Sequence, residues 1–265
     1  MGLVLIAAAI AALVPPAAGA RAPLPDASPA LWVVADADTK IYLFGTFHAR
    51  DGKTDWFNDE VEAAFDDSDE LVLETLVPKL PILKPAASAR PVGPMAPVAG
   101  SASFLSSTKL VMSAGRSQGM STSHGADTVL RDAADAIGKP VEGLESFEFQ
   151  LGMFSRLPPA PKQASRAQES ATKQALSTVL TQLQAAWNKG DAEGFTPMLN
   201  QMQANSPDMY QMMFAERNTR WADWIAKRLE QPGTVFVAVG AGHLAGPDRV
   251  QAKLALLGLG SARLN

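Results

Sequence analysis

Ile41-Tyr42-Leu43-Phe44-Gly45-Thr46-Phe47-His48 is an apolar run that stops at a glycine and sets a histidine three residues beyond it. Residues 31–35 form a second short apolar run, and the intervening Asp36-Ala37-Asp38-Thr39-Lys40 reads as the turn of a hairpin. On the other side, residues 56–65 space Trp56, Phe57, Val61, Ala64 and Phe65 three to four apart, as a helix does. They lead into Glu70-Leu71-Val72-Leu73-Glu74, a strand. Strand, helix, strand within about 35 residues is a βαβ unit, so the strands at 41 and 71 are predicted to run parallel.

From residue 77 to 123 the composition shifts to Pro, Ala, Ser and Gly, which predicts an irregular insertion with a helix at about 103–117 inside it. Residues 128–137 read as a helix stopped by Gly138-Lys139-Pro140, and 141–144 as a short strand. After a second breaker, Pro158-Pro159-Ala160-Pro161, helices are expected at 163–188 and 192–203, the latter opened by Asp191 as its cap. Ser206-Pro207-Asp208 predicts the start of one helix running to about Glu230. Residues 234–239 are a continuous apolar, β-branched run, the mark of a strand covered on both faces. A helix at 247–257 and a last short strand at 262–264 complete an α/β order of elements.

The chain has 265 residues, 47% of them hydrophobic, with a formal net charge of -4. That length and composition suit a globular α/β domain with a real core. There is no long Lys/Arg run, which argues against a nucleic-acid partner. The absence of cysteine excludes a thiolate nucleophile, a disulfide scaffold and any Cys-ligated metal, so a metal would have to be held by His, Asp or Glu. Residues 3–14 are apolar and uncharged, and Ala18-Gly19-Ala20 follows as an A-x-A cleavage site. Residues 1–20 are therefore expected to be a signal peptide, the mature chain starting at Arg21 in the periplasm or outside the cell. No Lys or Arg precedes the apolar run, which leaves open an uncleaved leader that anchors the chain to the membrane. Oligomeric state is not legible.

Two of the three histidines, His48 after Gly45 and His243 after Gly240, lie three residues past a glycine that ends a predicted strand. Glycine lets the backbone turn sharply, and the side chain beyond it lies over the carboxyl edge of the sheet, where open α/β folds bind ligands. Glu74 ends the strand of the βαβ unit and belongs to the same geometry. Two imidazoles and a carboxylate make a three-ligand set with an open position for water. The plain alternatives are turn chemistry for the histidines and an exposed strand-end carboxylate for Glu74. His124, within Ser121-Thr122-Ser123-His124, reads as a solvated loop residue.

On the helix from 207, Met209, Met213, Trp221 and Trp224 define an apolar face centred near Arg217, with Arg220 inside it. A guanidinium in such a face needs a carboxylate or a substrate anion. A structural salt bridge, to Glu74 itself among others, and a stem packed with its head in water are the competing readings.

At these residues the chain resembles the TraB/GumN proteins, relatives of the Tiki metalloproteases and, more distantly, of erythromycin esterase and the haem-binding ChaN proteins. The resemblance is carried by Leu43-Phe44-Gly45-Thr46-Phe47-His48, Leu71-Val72-Leu73-Glu74-Thr75, residues 138–145, Glu216-Arg217-Asn218 with Trp221, and residues 237–248. It implies a central mixed, partly parallel sheet flanked by helices, with a site formed by the two G-x-x-H motifs and a glutamate, here His48, His243 and Glu74. Arg217 and Asn218 fall on the family's Arg-Asn pair and are the implied substrate-binding residues. Asp127 falls on an aspartate that usually follows Gly-Val, here Gly125-Ala126. The expected activity is metal-dependent hydrolysis of a peptide or ester bond at a divalent ion of the Mn, Co or Zn class. Glu74 would be ligand or base, Arg217 would hold the oxyanion or a substrate carboxylate, and the partner would be a peptide or small-molecule substrate. The rivals are a metal-free esterase and a non-enzymatic binder of a peptide signal, haem or metal.

Overall fold

A computed structural model describes residues 23–76, 99–156 and 165–265. The expected leader, residues 77–98 of the proline-rich stretch and the second proline breaker lie outside the described residues. Strands β1 (Leu31–Ala35) and β2 (Thr39–Thr46) form the expected antiparallel hairpin. In its turn, Asp36 Oδ1 accepts from the Asp38 and Thr39 N–H groups at 3.2 and 2.9 Å. Helix α1 (Asp59–Asp66) follows, and then β3 (Glu70–Thr75).

The parallel direction expected of the strands at 41 and 71 holds, with another strand between them. Strands β2 and β3 run in the same direction but are not neighbours, because β5 (Gly233–Gly240) lies between them and pairs in parallel with both. Its Val235–Gly240 segment is buried throughout, and an apolar strand from the far end of the chain is the best filler for that central slot. With β4 (Val141–Glu145) and β6 (Ala262–Arg263) the mixed sheet has the order β4-β3-β5-β2-β1-β6.

Both faces are covered. On one, Phe44, Phe65, Leu71 and Phe236 meet Trp56, Leu130 and Trp187, the last two from α3 (Ala126–Ile137) and α5 (Arg166–Asn188). On the other, Ile41, Leu43, Val72 and Val237 meet side chains that include Trp221, Ile225 and Leu254. Burial of these apolar side chains, each contributing about 1.5–3 kcal/mol, holds the sheet rigid beneath its carboxyl edge.

The insertion carries helix α2 (Ala99–Ser117), longer than expected, and a 3-10 turn at Thr122–His124. Helix α4 (Phe147–Ser155) has no counterpart in the sequence reading. Phe147, Phe149, Leu151 and Met153 alternate with period two, which conceals the helix, although the Ser146 side chain caps it by accepting from the Phe149 N–H at 3.1 Å. Asp191 does cap, but what it caps is a 3-10 turn, Ala192–Phe195, ahead of α6 (Thr196–Asn205).

The single helix expected from 207 is interrupted. Helices α7 (Pro207–Tyr210) and α8 (Glu216–Arg228) are joined through a π turn, Gln211–Ala215, and the Ser206 side chain makes no capping bond. Such turns are rare and cluster at functional sites. The Met213 carbonyl inside this one accepts from Arg217 Nη1 at 3.2 Å. Helix α9 (Val250–Leu256) closes the second face. Among the described residues no helix is long and apolar enough to cross a membrane.

Candidate functional site at the carboxyl edge of the sheet

The parallel register pairs Thr46 with Gly240 and Leu73 with Ala238, so β2, β5 and β3 end at one level. A Cβ added to Gly240 would lie 3.3 Å from His48 Nε2, 3.5 Å from Glu74 Oε2 and 3.6 Å from His243 Cδ2. The three side chains singled out in the sequence therefore converge on one glycine, and the space a larger residue would fill is the space between them.

His48 is the open member, with 62% of its side chain exposed. Its Nδ1 lies 3.1 Å from Asp127 Oδ1, at the first turn of α3. Gly125 makes that approach possible: a Cβ there would stand 2.2 Å from the His48 carbonyl oxygen, and the neighbouring Ala126 N–H donates to the Phe47 carbonyl at 3.1 Å. Desolvation opposes the imidazolium, but the Asp127 hydrogen bond and charge, with help from Glu74, outweigh it and raise the pKa to about 9.

His243 is the closed member, 5% exposed, its ring between Phe214 and Trp221 at centroid distances of 4.8 and 4.4 Å. Asn218 settles its tautomer. The Asn218 amide nitrogen donates to the carbonyls of Asp248 and His243, at 2.8 and 3.4 Å, so its oxygen faces His243 Nδ1 at 2.6 Å. Nδ1 then carries the proton and Nε2 keeps its lone pair. Burial, with the positive charges of Arg217 and His48 and against the attraction of Glu74, lowers the His243 pKa to about 3, so the ring stays neutral.

Glu74 is held from three sides. Oε1 accepts from Arg217 Nη2 at 2.5 Å and from Gln150 at 3.2 Å, and Oε2 accepts from the Gly240 N–H at 3.2 Å. Burial favours its neutral form, yet the surrounding His243, Arg217 and His48 together bring its pKa down to about 2. His243 Nε2 is 4.0 Å from Oε2.

Arg217, 2% exposed, uses all five N–H groups inside the protein. Nε donates to both oxygens of Glu145 at 3.0 Å, and Nη2 to Glu145 at 2.8 Å and to Glu74. Nη1 donates to Met213 O and faces His243 Nε2 at 3.3 Å. The guanidinium also stacks 4.6 Å from the Trp221 ring centroid. The salt-bridge reading of Arg217 is thus the observed one. Asn218, 1% exposed, is wholly committed to the His243 turn. Arg220, placed within the apolar face by periodicity, is 45% exposed at its side chain and reaches Glu145 at 3.3 Å.

Glu145 and Gln150 were missed. Glu145 ends β4 opposite Thr75, the last residue of β3 and the neighbour of Glu74, and that repetition of a glutamate near a strand end was the available signal. Gln150 sits on the unrecognised helix α4. His124 is exposed and takes no part.

Among the described residues no three His, Asp or Glu side chains are arranged as a metal-ligand group. The donor types do suit one: each imidazole is anchored through Nδ1 by an oxygen acceptor and turns Nε2 inward, as metal-ligating histidines do. What keeps the set apart is Arg217, whose N–H groups face His243 Nε2 and Glu74.

The TraB/PrgY/gumN family model matches residues 30–90 and 80–259, so the chain belongs to that family. No match to a curated protein or to a solved structure was found.

Proposed function

We propose that this protein is an exported hydrolase of peptide or ester bonds whose water-activating centre is His48, Glu74 and His243. The observation that carries the reading is their convergence on Gly240, each histidine fixed through Nδ1 with Nε2 turned to the same space. A divalent ion held by the two Nε2 atoms and Glu74 would polarise the scissile carbonyl and acidify a water. That chemistry is favoured here because the site alone lacks a good base at neutral pH: His48 is protonated, Glu74 is a weak base, and the His243 lone pair faces a guanidinium.

The residues of the chain itself have separable roles. His48 and His243 would serve the ion as ligands through Nε2, and Glu74 would be its third ligand or, through Oε2, the acceptor of a proton from the attacking water. Asp127 orients His48, Asn218 orients His243, and Arg217 with Glu145 behind it holds Glu74. With its donors spent on protein atoms, Arg217 is a positioning residue in this scheme and not the oxyanion holder that the sequence suggested. Metal analysis of the purified protein, followed by cleavage of a peptide library with and without chelator, tests the reading. Bound metal with chelator-sensitive cleavage is expected, and chelator-insensitive cleavage would favour the metal-free esterase. Export is tested by the amino terminus of protein recovered from the cell envelope, expected to be Arg21.

A further inference from the structure

Helix α4 reaches the site through one half-buried side chain, Gln150, which lies 3.2 Å from Glu74 Oε1. An ionised carboxylate only accepts, so the atom that faces it is the amide nitrogen, Nε2. That contact uses one of the two N–H groups of the amide. The buried side-chain atoms left without a partner among the described residues are Arg50 Nε, Thr75 Oγ1 and Gln251 Oε1. Gln150 Oε1 has no partner among those residues either, and is therefore open to solvent beside Glu74. Arg217, the other side chain on Glu74 Oε1, has its donors spent on protein atoms. Phe149 and Leu151, before and after Gln150 on the helix, are 43% and 51% exposed, and Arg220 stacks on the Phe149 ring at 4.8 Å.

A carboxamide with one N–H and its carbonyl unspent is complementary to an extended peptide, in which the N–H and C=O of one residue point the same way. We propose that Gln150 is a substrate-binding residue that reads one residue of a peptide and so selects amides over esters. Its second Nε2–H donates to the C=O of that residue, its Oε1 accepts from the N–H, and Phe149 and Leu151 pack against apolar side chains on either flank. An ester oxygen in place of the N–H leaves Oε1 facing lone pairs, and a site that bonds a substrate N–H discriminates against the analogue lacking it. The proposal rests on the reading of this sheet edge as a hydrolytic centre, and narrows its substrates to peptides with apolar residues. The bond to Glu74 fixes the carboxamide, so one contact orients both the carboxylate and the substrate.

The test titrates native protein with N-acetyl-L-leucine methylamide and with its depsi analogue, in which an ester oxygen replaces the leucine N–H. The Gln150 side-chain amide is followed by proton–nitrogen NMR before measurable turnover. The expected result is a saturable shift of both Gln150 amide cross-peaks with the amide ligand, binding at least about tenfold weaker for the ester, and a difference of less than about twofold in Gln150→Leu. Unmoved Gln150 cross-peaks, equal affinity of the native protein for the two ligands, or an undiminished preference in Gln150→Leu overturns the proposal. The native protein decides the matter alone if the variant does not fold. Shifts and preference as expected, with no cleavage of any peptide, would uphold Gln150 as a peptide reader and count against the hydrolytic reading instead.

Discussion

Arg217→Ala removes the one cation shared by two carboxylates, and its cost can be worked from the contacts. Glu145, 4% exposed at its side chain, loses its bidentate partner, Glu74 loses the bond to Oε1, and Trp221 loses the stacked guanidinium. Breaking a buried ion pair from one side costs about 3–5 kcal/mol, because the abandoned charge stays buried. For a chain of this size that is a fall in melting temperature of roughly 6–20 °C. The loss should also depend on pH. In the native protein the Glu74 pKa lies near 2, below its ordinary 4.5, so its contribution to stability is present above about 4.5 and is lost as pH falls through about 2. Without Arg217, burial is less opposed and the Glu74 pKa moves up, so the variant loses less stability than the native protein on acidification. The gap measured by urea unfolding should therefore be widest above about pH 4.5 and narrow as pH falls from there toward 2. Replacing both partners, Arg217→Met with Glu145→Leu, should recover part of the loss. A variant within about 1 kcal/mol of the native protein, or a gap that ignores pH, would refute the view of Arg217 as the buried counter-charge.

The two histidines should part company in stability. His48→Ala, at a largely exposed ring, should change it by about 1 kcal/mol or less, whereas His243→Ala, in a ring-lined pocket, should cost roughly 2–4 kcal/mol by cavity formation, both read from denaturant melts. Gly125→Ala puts a methyl group against the His48 carbonyl and should both destabilise the fold, by about 1–3 kcal/mol, and break the His48–Asp127 contact; an unperturbed His48 resonance in that variant would contradict the docking role of Gly125. In metal-free protein Asp127 should hold the His48 titration above its ordinary 6.5; because the ring is 62% exposed, the stability this adds below pH 6.5, and which is lost as pH rises through the raised value, is small. Asp127→Asn should bring the titration down, as followed by proton NMR of the ring.

Much of this site was legible because its signals are local. A glycine ending an apolar run and a histidine three residues on can be read without knowing the topology, and the continuous apolar run at β5 announced a central strand. The neighbour of that strand could not be read, since β5 enters between β2 and β3 from about 160 residues away and parallel pairing has no local turn to encode it. Arg217 was found as a charge in an apolar face, but its commitment to Glu145 depends on β4 lying outside β3, which periodicity does not reveal. The π turn was hidden for another reason: Met212, Met213 and Phe214 suit an ordinary helix as well, and the placing of Phe214 between the Tyr210 and His243 rings is a tertiary contact with no local signal.

The central claim is that His48, Glu74 and His243 act as one water-activating centre. The most direct measurement is the rate of peptide cleavage by the native protein and by His48→Ala, compared at equal folded fraction, since His48 is the one member of the three whose removal should leave the fold intact. The account predicts a loss of about a hundredfold or more in kcat/KM, the scale of misplacing the attacking water. Cleavage by folded His48→Ala at the native rate would contradict it.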